Sequence, residues 1–368
     1  MRIALLGHLH GFGGAEKSLI MLANQLVERG HSVELVSFTS DVKVRPLDER
    51  VKYTFFPDVD GNKIKRLIGR YKNLDMYLKN NKPDVAVSFW FQLAIFALFV
   101  SKKYNFQVIY SERGDPKDIE YNGLNGVIRN LLLPLVDGFV FQTNGAKQCF
   151  SSSIQKKSTV IHNAIEIKKN QLIDVEKSNT IISVGRLHRQ KNFSVLIKAM
   201  RVLHEDFPSY ILEIYGEGEL RETLQSEIDS LGLHDTVKLM GNTKQIYEKM
   251  QKSEVFALTS DFEGMPNVLM EAMALGLPCV TTDCSPGGAR ELIDDHFNGI
   301  IVPVGDYVAV AEAIKYCLND KKSAAEMGKN AAQIFKTHSC EKIYDQWEDY
   351  IVSLCNTKKR RGTNGSSN

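Results

Sequence analysis

The pattern that most limits what this chain can become is an alternation of short apolar runs of β type with amphipathic helical stretches, carried through the sequence twice. The opening reads RIALLG, a glycine loop HLHGFGG, a helical AEKSLIMLANQLVERG and a second apolar run SVELVSF. Apolar runs without in-out alternation demand burial on both faces, which a parallel sheet covered by helices supplies. DVAVSF, QVIYSE, GFVFQT and STVIHN continue the series and place a first domain at residues 1–166. Residues 167–179, IKKNQLIDVEKSN, are polar and serve as a linker. The alternation then restarts: TIISVGRL, YILEIYG, TVKLMG, VFALTS and PCVTTD predict strands, and SVLIKAMRVLHED, ELRETLQSEIDSLG, IYEKMQKS and PNVLMEAMALG predict the helices of a second domain over 180–338. The fold class is α/β, two doubly wound units in series with a cleft expected between them. CEKIYDQWEDYIVSLC predicts a last helix over 339–356, and 357–368 reads as a disordered basic tail.

The 368 residues, 43% hydrophobic and 24% charged, suffice for two ordinary cores. Six cysteines stand without metal-ligand spacing and no export pattern opens the chain, so reduced thiols and a cytoplasmic location are expected. Net charge is only +2, yet residues 1–170 carry 24 Lys and Arg against 16 Asp and Glu, while 171–368 carry 22 against 28. A basic first half suits an anionic partner. VAVSFWFQLAIFALFVS, residues 85–101, is apolar for 17 residues, at the lower limit for a membrane span. Ser88 and Gln92 interrupt it and a Pro-Asp precedes it, so it is read as a buried strand followed by a helix.

Four segments carry chemistry. HGFGG, residues 10–14, lies between the first strand and helix, where glycines admit a ligand to backbone N–H groups, but it lacks the GxGxxG spacing of a dinucleotide site and a plain structural turn remains open. SVGRLHRQKN places Arg186, Arg189 and Lys191 after a strand, where a planar fork and a point charge together suit a diphosphate; a solvated basic loop is the alternative. IYGEGEL repeats the strand-glycine logic with Gly216 and Gly218. DFEGMPNVLMEA sets Glu263 and Glu271 with seven residues between them around a Gly-Met-Pro turn, with Pro266 suited to the first turn of a helix. Glu271 sits among apolar neighbours, so it is expected buried and in need of donors, from a ligand diol or from a structural cation.

Taken in order, Gly13-Gly14-Ala15-Glu16, His162-Asn163-Ala164, Val184-Gly185-Arg186-Leu187 with Lys191-Asn192, Gly216-Glu217-Gly218-Glu219-Leu220 and Glu263-Gly264-Met265-Pro266 through Glu271-Ala272 resemble glycosyltransferase family 4, over nearly the whole chain. The resemblance implies the GT-B architecture of two Rossmann-like domains, with the C-terminal helix crossing back to the first. It implies a retaining enzyme with a nucleotide-sugar donor, UDP expected, and no metal or other cofactor. Glu271 would bind the ribose hydroxyls and Glu263 would lie beside the donor sugar. Arg186 and Lys191 would hold the diphosphate, helped by backbone N–H groups around Met265 and Asn267, on either side of Pro266, by the Gly216 loop, and by Gly13 and Gly14 of the first domain. Many members carry a histidine where this sequence reads Ser111-Glu112-Arg113; Glu112 or Arg113 is expected in that space, near donor or acceptor.

GNKIKRLIGRYKNLDMYLKNNK, residues 61–82, sets Ile64, Leu67, Ile68, Tyr71, Leu74 and Leu78 at helical spacing, with seven cations against the single acid Asp75. Its stripe packs on the first domain, or it faces the inner leaflet of the cytoplasmic membrane and grips a polyprenyl-diphosphate-linked glycan acceptor, as the resemblance to bacterial surface-glycan transferases suggests. A nucleotide-sugar epimerase and a transferase with a soluble acceptor are the enzymatic alternatives. Nucleic acid is not an expected partner, since the cations lie on one helix without interleaved aromatics.

Overall fold

The computed structural model describes residues 1–9, 13–38, 46–118, 121–167 and 175–364, with side chains described to residue 357. His10, Gly11 and Phe12 of the glycine loop, residues 168–174 of the expected linker and residues 365–368 of the tail lie outside that set. The chain divides into two compact units, Met1–Asn163 with Glu341–Asn368, and Ala164–Cys340.

Unit 1 runs β1 (Arg2–Gly7), α1 (Gly14–Glu28), β2 (Ser32–Phe38), β3 (Lys52–Phe56), α2 (Lys63–Asn81), β4 (Val85–Ser88), α3 (Phe91–Tyr104), β5 (Gln107–Glu112), α4 (Leu124–Leu132), β6 (Gly138–Phe141), α5 (Asn144–Gln148), α6 (Ser152–Gln155) and β7 (Ser158–Val160). Its seven strands pair in parallel in the order β3-β2-β1-β4-β5-β6-β7. The order reverses between β1 and β4, so the loop after Gly7 opens at the switch point where such sheets bind ligands. The apolar run 85–101 divides as expected: the Ser88 hydroxyl donates to the Trp90 carbonyl at 2.9 Å and ends β4, and α3 then buries seven residues from Leu93 to Ser101. Among the described residues no helix is long and apolar enough to cross a membrane. β3, absent from the expected strands, is the edge strand KYTFF, exposed at Lys52 and half-buried from there on, and so without a clean apolar signature.

Unit 2 repeats the plan with β8 (Thr180–Val184), α7 (Phe193–Asp206), β9 (Ile211–Tyr215), α8 (Arg221–Ser230), β10 (Val237–Gly241), α9 (Ile246–Lys252), β11 (Val255–Leu258), α10 (Asn267–Ala274), β12 (Cys279–Thr282), α11 (Gly288–Leu292), β13 (Ile300–Val302), α12 (Tyr307–Asn319) and α13 (Lys321–Ala331). Six parallel strands stand in the order β10-β9-β8-β11-β12-β13, with the switch between β8 and β11. β13 has three residues, too few for a periodicity to register, and α12 and α13 likewise add to the expected helices.

The last helix, α14 (Cys340–Asn364), returns the chain to unit 1 and runs eight residues past the expected end at 356, into the segment read as a disordered tail. Trp347 is 1% exposed, with its ring centroid 6.0 Å from that of Phe89. Arg29 reaches Asp345 at 2.7 Å, and the Tyr350 hydroxyl donates to the Lys157 carbonyl and accepts from the Phe139 N–H, each at 2.8 Å. Gly138 makes room for this clasp, since a Cβ there would stand 2.6 Å from the hydroxyl. Replacing Tyr350 with Phe is expected to lower the unfolding free energy by about 1–2 kcal/mol, read from urea denaturation, because the Lys157 carbonyl loses a buried donor.

Candidate functional site

In unit 2 two loops, one after β8 and one after β11, are laced together by polar groups. Thr259 Oγ1 donates to the carbonyls of Lys191 at 3.2 Å and Asn192 at 3.1 Å, Asn192 Nδ2 donates to Asp261 Oδ1 at 2.7 Å, and the Asp261 N–H donates to the Gln190 carbonyl at 2.8 Å. At the centre of the lacing Lys191 Nζ meets Glu263 Oε1 in an ion pair whose side chains are 14% and 10% exposed. Ser260 Oγ donates to the same oxygen at 2.8 Å and Gln190 Nε2 approaches Oε2 at 3.4 Å. A carboxylate so withdrawn from water is stable because each oxygen has a donor and the charge a counterion. Cys284 lies within this field; burial first, then the Glu263 charge, push its thiol up to about 12, so it stays protonated.

The Arg186 side chain is exposed and, among the described residues, has neither a hydrogen bond nor an ion pair, while His188 of the same loop stands 3.6 Å from Glu219. The loop's shape depends on Gly216: its φ of +138° is a glycine conformation, and a Cβ there would fall 1.9 Å from the Gly185 carbonyl oxygen. The Leu187 N–H donates to the Glu217 carbonyl at 3.0 Å, so the GRL and GEGEL segments are one backbone unit.

The stretch 261–272 corrects two expectations. Glu263, not Glu271, is the buried acid; Glu271 is half-buried and accepts from the Tyr247 hydroxyl at 3.3 Å. Apolar neighbours in sequence surround a helical residue on all sides, whereas only the core-facing residues Leu269, Met270, Ala272, Met273 and Ala274 of α10 are shut away. Pro266 stands just before the first turn, at φ −75° and ψ 101°, and its carbonyl accepts from the N–H groups of Leu269 and Met270. Met265 is buried beneath the helix start and Asn267 is half-buried at its first position.

In unit 1 Gly13 caps α1 and Gly14 is its first residue. Glu112 and Arg113, expected near donor or acceptor, are engaged within the unit. The Glu112 carboxylate, 2% exposed, accepts from Tyr110 at 2.8 Å, Tyr121 at 3.3 Å and the N–H groups of Arg113 and Gly114 at 3.1 and 3.2 Å. Burial pushes its pKa above the ordinary range, against those hydrogen bonds. Arg113 lies 4.0 Å over the Phe89 ring and 5.5 Å from the ring of Trp347 on α14, and donates to Asn163 Oδ1 at 2.9 Å; burial lowers it to about 10. Ser260, Gln190 and Tyr247 complete the acid pair without having been expected. Ser260, three residues ahead of Glu263, was the one with a local signal. Among the described residues no group of three or more His, Cys, Asp or Glu is placed to hold a metal ion.

Two parallel doubly wound units with polar loops at the strand ends define the GT-B architecture of glycosyltransferases. A solved Anabaena protein, HepE in complex with UDP, superposes on this fold with a TM-score of 0.82 at 20% identity, over 96% of this chain and 100% of that one. The family model for glycosyl transferases group 1 matches residues 164–334, and that for glycosyltransferase family 4 matches residues 12–169. The chain belongs to the family 4 glycosyltransferases. It is 27% identical, over 97% of its own length and 99% of the relative's, to the Campylobacter jejuni GalNAc-alpha-(1->4)-GalNAc-alpha-(1->3)-diNAcBac-PP-undecaprenol alpha-1,4-N-acetyl-D-galactosaminyltransferase. It is 26% identical, over 95% of the chain and 99% of the relative, to the amylovoran biosynthesis glycosyltransferase AmsD of Erwinia amylovora.

Removing one partner of the buried ion pair strands the other. Lys191→Met is expected to lower the unfolding free energy of the ligand-free protein by about 3 kcal/mol, and Lys191→Met with Glu263→Gln to recover more than half of that loss. Losses that simply add in urea denaturation would show that the two groups are not coupled.

Proposed function

We propose that this protein is a retaining, metal-independent hexosyltransferase that moves a hexose or N-acetylhexosamine from a nucleotide sugar, with UDP as the nucleotide, to a polyprenyl-diphosphate-linked glycan in surface-polysaccharide assembly. The observation that carries the reading is the buried Lys191–Glu263 pair in the same loop as the exposed Arg186, whose side chain has no partner among the described residues, in a chain aligned end to end with a transferase named for an undecaprenol-diphosphate-linked acceptor. Arg186 offers a planar fork to one phosphate, and Lys191 exchanges its carboxylate for the other. The bond between the anomeric carbon and the phosphate oxygen then breaks with its electron pair moving onto a diphosphate already neutralised by two cations, so no divalent ion is required. The acceptor hydroxyl attacks from the face the phosphate leaves, and the departing phosphate oxygen takes its proton, which keeps the anomeric configuration.

Glu263, relieved of Lys191, faces the positive charge that develops on the sugar. Glu271, only half-buried, accepts from the ribose hydroxyls, and the backbone N–H groups of Met265 and Asn267 and the glycine loop at Gly216 add fixed dipoles. Glu112 and Arg113 act as supports of unit 1 rather than as groups that touch the reacting atoms.

The protein works on the cytoplasmic side of the membrane as a peripheral enzyme, held through helix 61–82. Leu74, Tyr77 and Leu78 bury the C-terminal half of α2, while Ile64 at 67% and Ile68 at 50% stay exposed among Lys63, Lys65 and Arg66. Arg70 is not part of that charge, being paired with Asp58 at 2.5 Å. Each free cation near an anionic leaflet contributes about 1 kcal/mol.

Incubating the protein with UDP, GDP and ADP sugars, with and without a lipid-linked acceptor, tests the reading: nucleotide release is expected from a UDP sugar and to rise with acceptor, and release from none would overturn it. Arg186→Ala and Glu271→Ala are each expected to cut turnover by about a hundredfold or more with unchanged circular dichroism. Lys65→Glu with Arg66→Glu is expected to raise the acceptor KM about tenfold while kcat holds, and an unchanged KM would remove α2 from acceptor binding.

A further inference from the structure

Helix α4 is inside out. An amphipathic surface helix turns leucines to the core and arginines to water, yet the residues α4 buries are Gly126 and Arg129, and those it exposes include Leu124 at 73%, Val127 at 63% and Leu131 at 71%. Leu135, just beyond, is 53% exposed. The Arg129 guanidinium lies 4.0 Å over the Tyr121 ring and donates through Nη2 to the Pro116 carbonyl at 3.0 Å, so the inward turn of the cation is fixed by contacts. The spacing of 124, 127, 131 and 135 keeps the exposed apolar groups on one side, and a contiguous apolar patch of this kind marks an interaction surface rather than ordinary scatter.

We propose that this face of α4 seats in an anionic lipid bilayer, as the apolar anchor that accompanies the basic helix α2. The proposal rests on the reading of a lipid-linked acceptor. The choice of occupant comes from charge. α2 and α3 share one apolar cluster with Leu133, one residue past α4, and with the sheet residues Ala4, Leu6, Ala86 and Val108, and the crossovers β3 to β4, β4 to β5 and β5 to β6 all step the same way along the sheet, which with right-handed connections puts α2, α3 and α4 over one face. That layer exposes Lys63, Lys65, Arg66, Lys72, Lys102 and Lys103. Of the acids described beside them, Asp75 is paired with Lys103 at 3.5 Å and Asp58 with Arg70, and the exposed Asp60 is outnumbered by the cations. A second copy docked through the same face would set like charge against like charge across a two-fold axis, whereas anionic headgroups meet the cations while the acyl boundary takes the leucines.

Co-sedimentation of the full chain with vesicles of phosphatidylcholine containing phosphatidylglycerol, without donor or acceptor, tests the surface. The wild type is expected to bind these and not pure phosphatidylcholine. Leu124→Ser with Leu131→Ser is expected to partition about tenfold or more weakly, from the apolar area lost, with unchanged melting. Leu131→Trp supplies a second readout: the added emission is expected to shift to the blue on vesicle addition. Equal partition of wild type and the serine variant, or no spectral shift, overturns the proposal. So does a dimer in sedimentation velocity that the serine substitutions dissolve while vesicles stay unbound. A chain that releases UDP from its donor but ignores vesicles overturns this surface alone; one that binds vesicles but releases no nucleotide overturns the transferase reading and leaves the surface standing.

Discussion

An ammonium and a carboxylate withdrawn together from water persist only while each has its partner, and the loops of unit 2 are organised around meeting that condition for Lys191 and Glu263. The loop from β8 brings Lys191 and Gln190, the loop from β11 brings Ser260 and Glu263, and Thr259, Asn192 and Asp261 lock the two backbones in register. Because β8 and β11 are neighbours at the switch point of the sheet, loops 67 or more residues apart in sequence leave the sheet side by side. On the proposed reading the pair stores a cation at the strand ends in a form an anionic ligand can claim, and Arg186, whose side chain has no partner among the described residues, is available at once.

Unit 1 spends its polar groups differently. Glu112 and Arg113, adjacent at the end of β5, point into separate networks: the carboxylate into tyrosine hydroxyls and local N–H groups, the guanidinium onto Phe89, Trp347 and Asn163. Arg113 thereby ties the strand end to α14 and to the last residue before the chain leaves the unit. α4 buries its arginine and bares its leucines, while α2 packs only its C-terminal half. Both departures from ordinary amphipathic packing fall on one helical layer, which is also the basic one.

Much of the fold was legible because parallel strands buried on both faces leave apolar runs that nothing else explains, and RIALLG, DVAVSF, TIISV and VFAL are such runs. β3 and β13 were not, since an edge strand is half wet and three residues carry no period. Of the candidate site, the residue types and their order were legible: the glycines, Arg186, Lys191 and the two glutamates stand at the spacings a family 4 enzyme shares. Which glutamate is buried was not. Glu271 lies in the more apolar stretch but on the outward side of α10, and Glu263 lies in a polar loop but beneath the contacts of Gln190 and Ser260.

The sequence by itself determined two α/β units in series, the location of the charged loops at strand ends and the family, because these follow from local periodicity and from residues at fixed distances along the chain. Only the tertiary structure decided that Lys191 answers Glu263, that Arg113 is a brace and that α4 turns its leucines outward. Those depend on what packs against each side chain from elements far away in sequence, and burial, unlike periodicity, is a property of the assembled neighbours.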